Sequence, residues 1–333
     1  THGAPYGPKI YGNRIMALRL SIGETSATGP RSENQDALRV VTPAPALAAS
    51  KGYLLGLADG VSQCADGGLA ARATLQALAL DYYSTPETWP VQHSLDRLLV
   101  AHNRWLQANG GGQPLLTTLT ALVLRGRRYT LAHIGDSRAY LWRSGQLLRL
   151  TEDHVWEQPG MQHVLKRALG LDQHLLVDYL DGELQQGECY VLVSDGVWAS
   201  LGDQHIQAVL REQPDLQLAA DTLVASAHYN GSRDNASALL VRVDALGETS
   251  LGDALGQIEQ WPLPPPLTKA TLPTFLSART STSKPSNRAT YSGWARTIPS
   301  SISFSTFSTS LINFFIRLPP INIISTLNHT ITR

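Results

Sequence analysis

The sequence predicts an α+β fold in which antiparallel sheets are covered by helices. Strand-like runs come in groups joined by short turns, and helical stretches come in antiparallel-looking pairs. No repeated βαβ alternation marks a parallel sheet. A hydrophobic content of 43% supplies a core, and 333 residues leave room for one large domain or two ordinary ones.

In chain order, Leu18 to Ile22 and Leu38 to Val41 read as strands flanking a polar loop from Glu24 to Asp36. Leu54 to Ala58 is a buried strand ending in Asp59-Gly60. From Gly68 to Tyr83 the spacing of Leu69, Ala73, Ala77 and Leu80 predicts a helix with that apolar stripe inward. A second helix runs from Val91 to Asn109, carrying Leu95, Leu98, Leu99, His102 and Leu106, and Gly110 to Pro114 breaks it. Thr118 to Leu124, Arg128 to Ile134, Ser137 to Arg143 and Leu147 to Leu150 are strands, with hairpin turns at Arg125-Gly126-Arg127 and Ser144-Gly145-Gln146. Thr151 to Gly170 reads as an exposed, irregular excursion. Glu188 to Ser194 is a strand, Gln204 to Glu212 and Leu216 to Tyr229 are helices, and Ala236 to Val243 is the last strand.

Charge divides the chain. All 27 acidic residues lie at or before Glu259, so the remainder is basic. The expected organisation is a leader or cloning remnant over 1–15, with Met16 as a candidate start, one domain over 16–247, and a tail over 248–333. The tail opens with the stiff Trp261-Pro262-Leu263-Pro264-Pro265-Pro266 linker and continues as a Ser/Thr-rich tract without period, expected to be disordered or aberrant. Cys64 and Cys189 cannot form a disulfide framework and fit a reducing, cytoplasmic compartment. No apolar run reaches 18 residues, so no membrane span is expected, and the body has no basic stripe to bind nucleic acid.

The chemistry lies at strand ends. Asp36, Asp59, Asp195 and Asp234 each sit in a polar or glycine-containing turn beside an apolar run. One such acid is ordinarily a turn former or a cap. Carboxylates gathered together repel, and burying them unpaired is costly, so a hard divalent cation is the natural compensation. All-oxygen donors suit Mg²⁺ or Mn²⁺, and no Cys/His set has zinc spacing. Arg31, five residues before Asp36, is placed to hold an anion with a bidentate contact. With no P-loop, Ser-His-Asp set or kinase signature, this combination fits hydrolysis of a phosphate ester by metal-activated water.

Seven pieces then carry a resemblance: Arg31 to Asp36, Ala58-Asp59-Gly60, Thr117 to Ala121, Gly135 to Tyr140, Leu150 to His154, Ser194-Asp195-Gly196 and Gly231 to Asn235. In this order they resemble the metal-dependent type-2C serine/threonine phosphatases, from about Leu18 to Val243. The resemblance implies a four-layer α-β-β-α sandwich, two antiparallel sheets flanked by helix pairs, with two Mn²⁺ or Mg²⁺ ions, and a third in some members, at one end. It further implies that Asp59 bridges the metals, Gly60 offers its carbonyl, Asp195 and Asp234 are ligands, Asp36 acts through water, Asp136 matches the third-metal acid and Arg31 grips the phosphate. The implied reaction on phosphoserine and phosphothreonine of proteins uses a metal-bridging hydroxide and no phosphoenzyme.

Two positions depart from the family pattern: Gln35 where a Glu is frequent, and Val61 where some members carry a His. His133, His154 and His163 are expected to be structural, and Arg138 to pair locally to fix its turn. The excursion from Glu152 to Gly170 lies where the family carries a variable flap. The chain also resembles the phosphatase half of bacterial phosphatase–kinase fusions, which implies a cognate kinase, although no His-Arg-Asp loop or Asp-Phe-Gly is present. The rival expectation is a phosphoprotein-binding pseudophosphatase, favoured only by Gln35. A metal-stabilised domain without catalysis leaves Arg31 unexplained.

Overall fold

A computed structural model describes residues 18–62, 64, 66–161 and 164–246. The expected leader, the start at Met16, the tail and His163 lie outside the described residues. Two five-stranded antiparallel sheets form the centre. The first has the order β1(Arg19–Ala27), β10(Ala236–Ala245), β9(Cys189–Val193), β6(Arg138–Arg143), β7(Gln146–Arg149). The second has the order β2(Asp36–Val41), β3(Tyr53–Asp59), β4(Leu119–Arg125), β5(Arg128–Ile134), β8(Asp178–Glu183).

Three apolar layers hold the sandwich. Leu55, Leu57, Leu122 and Leu131 of one sheet meet Leu141, Leu192, Leu239 and Val241 of the other. Behind the second sheet, Leu54, Ala121 and Val123 pack on α2(Gly67–Asp81) and α3(Val91–Ala108). Behind the first sheet, Val191, Ala238 and Leu240 pack on α4(Asp195–Glu212) and α5(Leu216–Tyr229). Strands covered on both faces favour apolar residues on both, which is why β3, β4 and β10 read as mostly apolar runs although the sheets are antiparallel.

The expected α+β sandwich is therefore present, with several local corrections. Glu24–Ala27 is not loop: β1 continues through Ala27 because its whole length pairs with β10. The stripe Leu69, Ala73, Ala77, Leu80 does not face inward: Leu69 and Leu80 are 41% and 48% exposed, while Ala70, Ala71, Thr74, Leu75 and Leu78 are buried. An alanine-rich helix is apolar on nearly every side, so its period does not select the buried face. Two elements carried no usable signal. α1(Pro45–Lys51) is under two turns long, and β8 reads Asp-Tyr-Leu-Asp-Gly-Glu, an exposed edge strand stabilised by pairing with β5. Helix α4 begins nine residues earlier than predicted, at Asp195, with a non-helical Gly202 (φ 68°) inside it. No helix among the described residues is long and apolar enough to cross a membrane.

Candidate metal centre

The acids meet at one end of the sandwich because the register delivers them there. Asp36 opens β2 and is the cross-strand partner of Asp59, the last residue of β3. The Thr117-Thr118 pair fixes the main chain of Asp59. Thr118 N–H and Thr117 Oγ1 donate to its carbonyl at 2.8 and 2.9 Å, and its own N–H donates to Thr118 Oγ1 at 3.0 Å. Gly60 then passes against the start of α2, where a Cβ would lie 2.1 Å from the Gly67 carbonyl oxygen, so only glycine fits. From the other sheet, Asp195 enters in the first turn of α4, directly after Ser194. Asp234 precedes β10, and Asp136 lies in the turn between β5 and β6.

Burial and mutual repulsion dominate these groups. Burial pushes the Asp36 carboxyl up to about 6, reinforced by Asp195 and Asp234 and opposed by the hydroxyls of Ser237 and Ser194. Those hydroxyls donate to Asp36 Oδ2 at 2.7 and 2.9 Å. Asp36 Oδ1 is buried with no hydrogen-bond partner. Asp59 is held well above the carboxylate range by burial, then by the charges of Asp36, Asp195 and Asp136. Asp136 is pushed to about 7 by burial and Asp195, and Asp195 is raised by burial and Asp234.

Arg31 stands at the lip, with Nη2 donating to Asp234 Oδ2 at 2.7 Å and Nε to the Arg233 carbonyl at 3.1 Å. Its loop is latched by Asn235, a residue given no role from sequence. Asn235 Nδ2 donates to the carbonyls of Thr28 and Glu33, and its Oδ1 accepts from Gln35 N–H, all at 2.9 Å.

Residues 25–228 match the family model described as Protein phosphatase 2C. The chain belongs to the protein phosphatase 2C family. It is 27% identical over 214 residues to the serine/threonine phosphatase stp of Listeria monocytogenes serotype 4b (strain F2365), covering 56% of this chain and 83% of that one. It is 31% identical over 209 residues to the serine/threonine protein phosphatase PstP of Mycobacterium tuberculosis H37Rv, covering 57% of this chain and 40% of the relative. A crystal structure of the PstP catalytic domain with 2 manganese ions superposes with a TM-score of 0.59 at 29% identity, covering 69% of this chain and all of that one.

The donor set of this protein phosphatase 2C chain fits divalent cations. Four clustered carboxylates raise one another's proton affinity, and Asp36 Oδ1 lacks any partner. Among the described residues, however, no three Asp, Glu, His or Cys side chains converge as a ligand shell. Asp36 Oδ2 instead accepts from Ser194 and Ser237, and Asp234 Oδ2 accepts from Arg31.

The turn carrying Asp136 is built from outside. Gly135 (φ 114°) exchanges hydrogen bonds with His154: the imidazole Nδ1 accepts Gly135 N–H at 3.1 Å, and His154 N–H donates to the Gly135 carbonyl at 2.7 Å. Trp198 Nε1–H donates to the Asp136 carbonyl at 2.9 Å, and the Arg138 guanidinium lies 3.4 Å from the Trp198 ring centre. The sequence-based expectation that Arg138 pairs within its own turn is not met. Arg138 reaches Asp153 with two bonds of 2.8 and 3.1 Å, because β7 returns the chain alongside β6. His133 is structural, between Thr120 Oγ1 and the Glu152 carbonyl, and His154 bridges Gly135 to Asp178. Cys189 is buried, and Cys64 is half-buried, with Sγ donating to the Val61 carbonyl at 2.9 Å.

Proposed function

We infer that the chain is a protein serine/threonine phosphatase working with Mn²⁺ or Mg²⁺ at the carboxylate end of the sandwich. One observation carries this reading: the buried carboxyl of Asp36 and the half-buried ones of Asp59, Asp136 and Asp195 gather at one end of the sandwich, each raised by desolvation and by a neighbour's charge. Asp59, Asp195, Asp234, Asp36 and the Gly60 carbonyl would hold two cations, and Asp136 a third. Bound there, the ions supply an activated water and neutralise charge on the phosphoryl oxygens.

The protein's own groups do the rest. Arg31 offers a planar fork of N–H donors at the lip, and a phosphate dianion competes with the single carboxylate of Asp234 for it. Asn235 and Gln35 fix the loop that aims Arg31. Gln35 serves through its main chain, accepting from Gly60 N–H at 3.2 Å, so its missing negative charge leaves this latch intact. The segment from Glu152 to Gly170, with exposed Trp156 and Met161, flanks the Asp136 turn and suits substrate selection. Phosphorylated proteins are the substrates, a serine/threonine kinase supplies them, and the free thiols fit the cytoplasm.

The test is hydrolysis of a phosphothreonine peptide with and without Mn²⁺, in the parent and in Asp59→Asn and Asp195→Asn. Metal-dependent turnover abolished by both substitutions is expected. Turnover that ignores the metal, or survives both changes, overturns the reading, and tight peptide binding without turnover establishes a pseudophosphatase.

A further inference from the structure

The second sheet ends in β2, which pairs with β3 on one side; among the described residues no strand pairs with its other side. In an antiparallel ladder, alternate residues turn both main-chain groups to the same side. The Gly60 N–H to Gln35 carbonyl bond sets the phase, so Ala37 and Arg39 address β3 while Asp36, Leu38 and Val40 turn outward. Asp36 N–H is satisfied by Asn34 Oδ1 at 3.1 Å, outside the ladder, as this phase requires. Leu38 and Val40 therefore present N–H and C=O groups along an open edge that begins at Asp36.

A groove of about 350 Å³ follows this edge between β2 and α2. Ala37 and Arg39 form its strand wall, and Leu69, Arg72, Ala73 and Gln76 form its helix wall. These four are spaced i, i+3, i+4 and i+7 and share one exposed face of α2, on which Leu69 and Ala73 belong to the outward-facing apolar stripe and Arg72 and Gln76 are polar. Arg39 Nη2 donates to the neutral amide oxygen of Gln76 at 2.5 Å, which leaves its charge available. Arg72 lies 3.8 Å from Glu33, both about half exposed, a weak pair that an added carboxylate can join. Both walls start at the carboxylate cluster: Ala37 follows Asp36, and Leu69 lies two residues beyond Gly67, which packs on Gly60. Charged side chains also protect bare edges from unwanted pairing. That role explains Arg39 alone, but not the apolar channel or a second arginine across it.

Resting on the phosphatase reading, we propose that the segment flanking a substrate's phosphoserine or phosphothreonine docks on the β2 edge as an added strand. An acidic side chain about three residues from the phosphorylated one, roughly 10 Å along an extended chain, is held by Arg39 and Arg72. Main-chain pairing supplies affinity and the arginines supply the sequence preference.

Fluorescence anisotropy with labelled phosphothreonine peptides tests this, carrying Glu or Lys three residues to either side, in chelator so that the peptides are not hydrolysed. The Glu peptide on one side is expected to bind roughly fivefold tighter than its Lys counterpart, the scale of an exposed charge pair. Arg39→Glu inverts that order and leaves hydrolysis of p-nitrophenyl phosphate with Mn²⁺ unchanged, since that substrate does not reach the groove. N-methylation of the peptide amides that face β2 weakens binding. Equal binding of Glu and Lys peptides, an order unchanged in Arg39→Glu, or indifference to N-methylation overturns the proposal. Failure of all substrates to turn over with Mn²⁺ overturns the phosphatase reading instead, and the anisotropy comparison still decides the edge.

Discussion

The guanidinium Nη2 of Arg31 donates to Asp234 Oδ2 at 2.7 Å, joining two loops 203 residues apart. Both side chains are nearly half exposed, so the pair adds under about 1 kcal/mol to stability. On the proposed phosphatase reading, its value lies in holding beside the carboxylates the donor proposed to bind phosphate. Arg31→Ala is expected to lower kcat/KM on a phosphothreonine peptide by about 10- to 100-fold, the loss of a charge-assisted hydrogen bond of about 1.5–3 kcal/mol. Its thermal midpoint should match the parent within a degree or two. Steady-state kinetics together with differential scanning fluorimetry check both halves.

Asp59→Asn should separate activity from stability. Burial and three neighbouring acids hold Asp59 above its ordinary range, so ionising it costs the metal-free fold. An amide removes that cost. In chelator, the variant is expected to melt a few degrees above the parent, because about 1 kcal/mol moves Tm by roughly 2–4 °C in a domain of this size. Adding Mn²⁺ should raise the parent's Tm and barely move the variant's. A variant that melts lower in chelator, or gains as much from Mn²⁺, contradicts the role given to Asp59.

The Asp136 turn depends on Arg138 and Trp198. Arg138 and Asp153 are each only 14% exposed in their side chains, so Arg138→Lys, which loses the two-point contact and the ring stacking, should cost about 1–2 kcal/mol. Trp198→Phe removes the donor to the Asp136 carbonyl and should cost about 1 kcal/mol. Urea denaturation measures both losses, which are expected to combine non-additively because the two side chains touch.

Acid stability has opposing contributions. Burial pushes His102 and His133 down to about 4, so between that value and about 6.5 the unfolded chain binds protons that the fold does not. Each histidine thus removes up to about 1.4 kcal/mol per pH unit as pH falls through this window. Asp36, raised to about 6, and Asp136, raised to about 7, act with the opposite sign: the fold binds protons first and is favoured at lower pH. Bound metal keeps carboxylates ionised and removes that compensation. Urea midpoints between pH 4.5 and 6.5 should therefore fall more steeply with acid in Mn²⁺ than in chelator, and His133→Gln should flatten the Mn²⁺ curve. Parallel curves would show that the carboxylates do not titrate in this window.

Much of this molecule is legible in one dimension. β5 and α5 have the predicted bounds, because turns and caps bracket them closely: Gly126 before β5, and the Asp215 side chain accepting from Leu218 N–H before α5. The candidate acids were visible because each sits in a polar or glycine-containing turn beside an apolar run. Asn235, Ser194, Ser237 and Trp198 were not, since each acts through hydrogen bonds to groups between 40 and more than 200 residues away. Nothing in local spacing encodes such a partner.

The sequence by itself determined the α+β class, the order of every strand and helix but β8 and α1, and the set of carboxylates with Arg31. Local periodicity and turn chemistry act over a few residues, and those features depend on nothing longer. Tertiary structure alone decided which face of α2 is buried, that α1 and β8 exist, and that Asp36 stands opposite Asp59 with Asp195 beside them. These outcomes depend on which surfaces remain to be covered once the sheets have paired. For the alanine-rich α2 and the polar β8, that packing outweighs the pattern of their own residues.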